Sequence, residues 1–282
     1  MSLKKNFLCG ITLALVIMAS ADVQTAFSQG NLLITPRRVV FEGRTRSFDL
    51  NLANIGSDTA RYAISFQQVR MKDDGTFEII TEPDPGQKFA DPFVRIFPRS
   101  VILGPNEAQT VKLQLFQTGE LQQGEYRSHL YFRATQDVKP LGEEEKVTDT
   151  TALTVRLIPV FGISIPVIIR IGESNAKVTL SDLSLSFPEN KDPVLSFTFN
   201  RTGNMSVYGD IAVDHVSPSG VSTRVGIANG VAVYTPNSLR RFQLTLRRAD
   251  GVDYKTGKLI VTYSASSDTK PERFAEGVIN LK

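Results

Sequence analysis

Few side chains in this sequence are suited to covalent catalysis or to metal binding. The 282 residues include two histidines, His129 and His215, and one cysteine, Cys9. Two histidines fall short of the three or four ligands that a protein zinc site requires. The sequence also contains no nucleophile elbow, phosphate-binding loop or paired-histidine motif. We therefore expect no catalytic residue, no metal and no other cofactor, and an enzyme is the function class that these residues favour least.

The residues best suited to binding are apolar and lie in one stretch, Thr151–Ile171. From Leu153 to Ile169 every second position except Pro159 is large and apolar, namely Leu153, Val155, Leu157, Phe161, Ile163, Ile165, Val167 and Ile169. A period of two is typical of a β-strand with one apolar face. The run exceeds the usual strand length of about five or six residues. Pro159 and Pro166 cannot donate ladder hydrogen bonds, which favours a long edge strand.

An exposed apolar strand edge favours pairing with another chain. A protein that keeps such an edge either hides it or uses it. The alternative is that the apolar face of Thr151–Ile171 packs into the core of its own domain. The residues of this stretch leave both interpretations open.

Strand-like segments follow one another from Asn31 onward, with little that is typical of helix. The predicted strands of the first half are Leu32–Phe41, Ser47–Ala53, Arg61–Met71, Thr76–Ile80, Val94–Phe97, Ala108–Phe116, Tyr126–Ala134 and Thr151–Ile171. Those of the second half are Lys177–Phe187, Val194–Asn200, Ser206–His215, Gly230–Tyr234, Arg241–Leu246, Gly257–Tyr263 and Glu276–Leu281. Short strands at this spacing predict an all-β chain of two immunoglobulin-like β-sandwich domains in tandem.

The beginning of the chain has the layout of a secretory signal peptide. Lys4 and Lys5 precede the apolar stretch Phe7–Met18 and the small residues Ala19-Ser20-Ala21. We expect a signal peptide over residues 1–28, with cleavage after residue 21 or 28; a retained membrane anchor is the alternative. The two sandwich domains are then expected at 29–171 and 172–282.

Composition and charge are those of an ordinary globular protein. Hydrophobic residues make up 41% and charged residues 22% of the chain. Loss of residues 1–21 removes two lysines and lowers the formal net charge from +3 to +1, which argues against nucleic acid as a partner. It also removes the only cysteine, so disulfides and thiol chemistry are not expected.

Several segments of the first half occur in the order found in a known family. They are Leu33-Ile34-Thr35-Pro36-Arg37-Arg38-Val39-Val40-Phe41, Phe48-Asp49-Leu50-Asn51-Leu52-Ala53-Asn54, Phe97-Pro98-Arg99-Ser100-Val101-Ile102-Leu103-Gly104-Pro105 and Gly124-Glu125-Tyr126-Arg127-Ser128-His129-Leu130-Tyr131-Phe132. With the charged loop 137–150 and the long alternating strand, they resemble the PapD-like periplasmic chaperones of the chaperone–usher pathway. The resemblance covers about residues 31–171.

The resemblance implies a function and a set of site residues. Chaperones of this family bind pilus subunits that lack one strand, and their own long edge strand fills the gap by β-strand addition. The corresponding donor residues would be Leu157, Phe161, Ile163, Ile165 and Val167. In the family, an arginine of the first strand and a lysine of the last hold the subunit's terminal carboxylate, and Arg38 matches the arginine. No lysine lies near Ile165 or Pro166, so Arg37, Arg156 and Arg170 are the candidate substitutes.

The partners implied are pilus or fimbrial subunits and an outer-membrane usher, with the protein in the periplasm. Neither a nucleic acid nor a small-molecule substrate is expected. A self-dimer of the free protein, with the edge strand hidden between two copies, is a further alternative. The competing function is that of an exported structural or adhesive protein built from immunoglobulin-like modules.

Overall fold

The computed structural model describes residues 31–135, 161–266 and 272–281. The expected signal peptide 1–28, the charged loop 137–150 and the candidates Arg156 and Leu157 lie outside the described residues. Within those residues, no helix is long and apolar enough to cross a membrane.

The described residues 32–135 and 162–171 form a first β-sandwich. Its strands are β1 Leu32–Thr35, β2 Val39–Phe41, β3 Ser47–Asn54, β4 Ala60–Gln67, β5 Val69–Met71, β6 Phe77–Ile79, β7 Val94–Phe97, β8 Ser100–Leu103, β9 Ala108–Leu115, β10 Gly124–Thr135 and β11 Gly162–Ile171, with 3₁₀ turns at Asp91–Phe93 and Thr118–Glu120. One sheet has the order β1-β3-β9-β7 and the other β2-β11-β10-β4-β8, while β5 and β6 form a separate hairpin.

The described residues 177–266 and 272–280 form a second β-sandwich. Its strands are β12 Lys177–Ser186, β13 Val194–Thr202, β14 Val207–Val216, β15 Ser222–Val233, β16 Leu239–Thr245, β17 Lys258–Ala265 and β18 Arg273–Asn280. They pair as one sheet of order β12-β13-β16 and one of order β15-β14-β17-β18. The prediction of an all-β chain with two sandwiches is confirmed.

Alternation along the strands produces the cores. In β3, Leu50 and Leu52 are fully buried, and across the ladder in β9 so are Val111 and Leu113. The residues between them are polar and exposed. Since successive side chains of a strand point to opposite faces, this pattern buries one face of the sheet and hydrates the other.

The first predicted strand, Leu32–Phe41, is in fact two. β1 pairs with β3 in one sheet, and β2 pairs in parallel with β11 in the other. Pro36 lies between them and has no N–H with which to continue a ladder. The chain therefore changes sheets here, and this switch leaves part of β11 without a second neighbour.

The two sandwiches are packed against each other. Ile168 of β11 and Met71 of β5 are buried in the hydrophobic cluster of the second sandwich. The β5–β6 hairpin adds polar contacts, because the carbonyl of Met71 accepts the Asn237 side-chain amide at 2.7 Å and the carbonyl of Asp73 accepts the Arg241 N–H at 2.6 Å. These contacts fix the surfaces that face each other across the domain boundary.

Candidate functional site

The edge of β11 is partly free. β11 pairs with β10 over its whole length, from Gly162 to Ile171. On its other side it pairs with β2 only at Val167–Ile169. Among the described strands none pairs with this side of the segment Gly162–Pro166, which we call the free edge. Pro166 lies where this edge meets the β2 ladder, and it has no N–H to donate there.

The apolar row of β11 passes from solvent into the core. Phe161, just before the strand, is 48% exposed, and Ile163 is partly buried against the core of the first sandwich. Ile165 and Val167 are 3% and 0% exposed in that same core. This corrects the expectation that both side chains face a partner: the sheets of their own sandwich close over them, and Leu157 lies outside the described residues.

A small cavity opens beside the free edge. It has a volume of about 240 Å³ and lies where β1 and β11 diverge. Its lining residues are Leu32, Leu33, Ile34, Arg37, Ile163, Ser164 and Ile165. Arg37, one of the candidate cations, therefore lines this cavity beside the free edge. Its sequence neighbour Arg38 does not line it.

A larger cleft lies between the two sandwiches, beside their area of contact. This interdomain cleft has a volume of about 840 Å³. Its lining includes the cations Arg38, Arg170, Lys177 and Arg273 and the carboxylates Glu42 and Glu272. Two of the sequence-predicted cations, Arg38 and Arg170, are therefore brought to the same cleft.

Arg170 is engaged in contacts within the protein. Its Nε lies 3.2 Å from a carboxylate oxygen of Glu125, and its Nη2 donates to the carbonyl of Ser206 at 2.9 Å. A third contact, to the exposed Glu42, is 3.8 Å long. The Ser206 N–H and hydroxyl also donate to Glu125, whose side chain is fully buried. This network joins the sandwiches and makes Arg170 a structural cation.

Arg38 lies against the aromatic side chains of the second sandwich. Its guanidinium carbon is 4.3 Å from the ring centroid of Tyr208, and its Nη1 donates to the Tyr234 hydroxyl at 3.2 Å. It is half-buried and contributes to the cleft lining. Its environment differs from that of Arg170, because no carboxylate pairs with Arg38 among the described residues.

Two residues on the same face of β10, Arg127 and His129, were not among the sequence-predicted site residues. Arg127 is 2% exposed, with its guanidinium carbon 4.4 Å from the Tyr234 ring centroid. Burial lowers the pKa of Arg127, with Arg38 acting in the same direction. Burial, Arg127 and Arg38 together lower the pKa of His129 to about 3. We call the group Arg38, Arg127, His129, Tyr208 and Tyr234 the seam.

The sequence around these two residues shows an alternation of polar and apolar side chains, which does not by itself reveal that the polar face is buried. Polar Glu125, Arg127 and His129 alternate with Tyr126 and Leu130 around Ser128. In β10 every one of these residues is buried. A strand whose polar face is as buried as its apolar face packs against a second body, here the second sandwich.

Comparisons with known proteins give similarities in fold only. No protein-family model matches the sequence, and no curated protein sequence matches it. Solved structures do match. In fold, the chain resembles chaperones, some of them fimbrial. The YadV chaperone is 14% identical, with a TM-score of 0.44 over 89% of this chain and 100% of that chain.

Two further structures match to a similar degree. The CupB2 chaperone of Pseudomonas aeruginosa is 13% identical, with a TM-score of 0.41 over 89% of this chain and 100% of that chain. A chain from a chaperone–tip adhesin complex of CFA/I fimbriae biogenesis is 14% identical, with a TM-score of 0.42 over 89% of this chain and 98% of that chain. We assign no residue of the site from these similarities.

Proposed function

We propose that the protein is a non-enzymatic periplasmic chaperone that binds and stabilises pilus or fimbrial subunits. It would donate Phe161 and the free edge of β11 to an incomplete subunit sandwich, and deliver the subunit to an outer-membrane usher. The observation that carries the proposal is the free edge itself, Gly162–Pro166. An unpaired row of backbone N–H and C=O groups is a template for adding a strand from another chain.

The apolar side chains at the start of β11 support the same role. Phe161 is exposed, Ile163 is partly buried, and both lie at the end of the row where it leaves the core. A subunit strand that pairs with the free edge would therefore also find an apolar surface. Burial of a phenylalanine side chain contributes about 1.5–3 kcal/mol.

The interdomain cleft offers a place for the end of the bound chain. Arg38 lies in its wall with no carboxylate partner among the described residues. A guanidinium group binds a carboxylate through two parallel hydrogen bonds. We assign Arg38 the role of anchor for the subunit's terminal carboxylate on this basis.

Replacement of Phe161 by aspartate tests strand donation. The Phe161→Asp variant should lose protection of an aggregation-prone subunit in a light-scattering assay, because a charge at this position would have to be desolvated in the subunit groove. The matched control is Phe187→Asp, which changes a similarly exposed phenylalanine of the second sandwich, 58% exposed against 48%. Equal protection by both variants would reject donation and favour a structural or adhesive module.

A further inference from the structure

The small cavity beside the free edge lies where the first sandwich is open. β1 is the last strand of one sheet, and at the level of Gly162–Pro166 β11 is the last strand of the other. β1 ends at Thr35, and β2 begins to pair with β11 only at Val39. No strand among the described residues therefore closes the gap between these two sheet edges, and the cavity of about 240 Å³ occupies it.

The backbone of the free edge directs hydrogen-bonding groups to this open side. The N–H of Ala134 in β10 donates to the carbonyl of Phe161 at 2.9 Å. Backbone groups alternate in direction along a strand, so Gly162, Ser164 and Pro166 direct theirs away from β10. A strand added at this edge therefore meets the N–H groups of Gly162 and Ser164 and the carbonyls of all three residues, since Pro166 has no N–H.

A strand added at this edge would also direct a side chain into the cavity. Ile165 is buried in the core and Ile163 is partly buried against it, so both point between the two sheets. Side chains at paired positions of neighbouring strands lie on the same face of a sheet. The side chain placed beside these two isoleucines therefore enters the gap between β11 and β1. An apolar cavity of about 150 Å³ is large enough for benzene, so this cavity of about 240 Å³ accommodates one large aliphatic or aromatic side chain.

Arg37 adds a charge to the lining of this apolar cavity. Its side chain is exposed, and no carboxylate pairs with it among the described residues. A guanidinium group attracts a side-chain carboxylate and matches its two oxygens. Arg38 lines the interdomain cleft and not this cavity. The charge of Arg37 is therefore available to a side chain of the added strand, separately from the anchor for the terminal carboxylate.

We propose that this cavity selects the strand that pairs with the free edge: it accepts one large apolar side chain, and Arg37 favours an aspartate or glutamate next to that side chain on the same face of the strand. Neighbours on one face of a strand are two residues apart in sequence. The preferred segment therefore carries an apolar residue and an acidic residue separated by one position. The inference rests on the strand pairing of the proposed function, and it adds the side chains that the bound strand must carry.

A peptide with blocked ends tests this preference without a pilus subunit. The probe is acetyl-Thr-Glu-Thr-Leu-Thr-Glu-Thr-amide, which has no terminal charge and offers the pattern in either strand direction. In NMR titrations of the methyl-labelled protein, it should shift the signals of Leu33, Ile163 and Ile165 and leave that of Ile227 in the second sandwich unchanged. Replacement of its leucine by serine should weaken the apparent Kd by roughly tenfold or more. Replacement of both glutamates by glutamine should weaken it by roughly two- to fivefold, as expected for an exposed ion pair.

Two exposed arginines of the first sandwich separate the effect of Arg37 from that of charge in general. Arg37→Gln should bind the glutamate and glutamine peptides equally, whereas the matched control Arg44→Gln should keep the preference of the wild type. No binding, equal binding of the leucine and serine peptides, or a glutamate preference that survives in Arg37→Gln would overturn the inference. If Phe161→Asp loses protection of a subunit while any of these results is found, strand donation stands and selection by the cavity fails. If the peptide preference is found while Phe161→Asp protects fully, the cavity binds strands but the chaperone role is rejected.

Discussion

At the residue scale, the titratable groups between the two sandwiches are paired to different degrees. Glu125 is satisfied by Arg170 and Ser206, whereas the buried His129 has no partner for its Nδ1 among the described residues. The ring of His129 lies 5.3 Å from that of Phe77 and 6.3 Å from that of Tyr234. This side chain is therefore held neutral by its apolar and cationic surroundings.

The low pKa of His129 predicts a loss of stability in acid. The pKa is about 3 in the folded protein against 6.5 for an unperturbed histidine, so the unfolded chain binds more protons between these values. Its contribution to stability is complete above pH 6.5 and is lost as the pH falls toward 3, by at most about 1.4 kcal/mol per pH unit.

The variant His129→Gln isolates this effect from the titration of other groups. We expect urea unfolding at pH 7, 6 and 5 to show a steeper decline in the free energy of unfolding for the wild type than for His129→Gln. His215 is present in both proteins and cancels in the comparison. Parallel curves for the two proteins would mean that His129 is hydrated in the folded state.

The candidate site was only partly predictable at this scale. Arg38 was singled out through the family resemblance, and it lies in the interdomain cleft. Arg127 was missed, because the sequence does not state that a second body covers the polar face of β10. The resemblance assigned Ile165 and Val167 to a partner, and the sequence pattern could not correct this, because a period of two identifies an apolar face without identifying what covers it.

At the element scale, turn residues and alternation located most strands but not their breaks. Val94–Phe97 was predicted with its observed bounds, and β9 differs from its prediction by one residue. The predicted strand Arg61–Met71 divides after Gln67 into β4 and β5, which belong to different sheets. At this break the buried positions change from the even-numbered Tyr62 and Ile64 to the odd-numbered Val69 and Met71. Which sheet each half joins still depends on long-range pairing that a local pattern does not contain.

The hairpin of β5 and β6 was predicted from Asp73-Asp74-Gly75, and its contact with the second sandwich gives a testable consequence. Gly75 has a φ of +83°, and a Cβ there would lie 2.5 Å from the guanidinium of Arg240. Gly75→Ala should therefore lose more stability in urea unfolding than the roughly 1 kcal/mol expected for the backbone alone.

Gly220→Ala is the matched control for the hairpin. Its φ of +87° is nearly the same, but a Cβ at this position meets nothing within 4 Å. The backbone cost is therefore shared, and the difference between the two variants reports the contact with Arg240. Equal losses would indicate that the Arg240 side chain moves aside without a cost in stability.

At the scale of the whole molecule, β11 joins the two cores. Ile168 and Ile169 are adjacent and both fully buried, but Ile169 belongs to the core of the first sandwich and Ile168 to the cluster of the second. Opposite faces of one strand thus pack into two bodies. We therefore expect the unfolding of one sandwich to affect the stability of the other.

Alanine at these two positions should separate the two effects. Ile169→Ala should lower the stability of the first sandwich by about 2–5 kcal/mol. Ile168→Ala should instead weaken the interdomain packing, so that calorimetry resolves two unfolding transitions where the wild type gives a more cooperative one. Identical unfolding profiles for the two variants would mean that Ile168 contributes no coupling between the sandwiches.

The central claim is that the free edge Gly162–Pro166 pairs with a strand of a bound subunit. Amide hydrogen–deuterium exchange, measured on the protein alone and on its complex isolated through a tag after Lys282, tests it most directly. We expect exchange in residues 161–166 to slow markedly in the complex, while exchange in the exposed β15–β16 region of the second sandwich stays unchanged. A stable complex in which residues 161–166 exchange as fast as in the free protein would contradict strand donation.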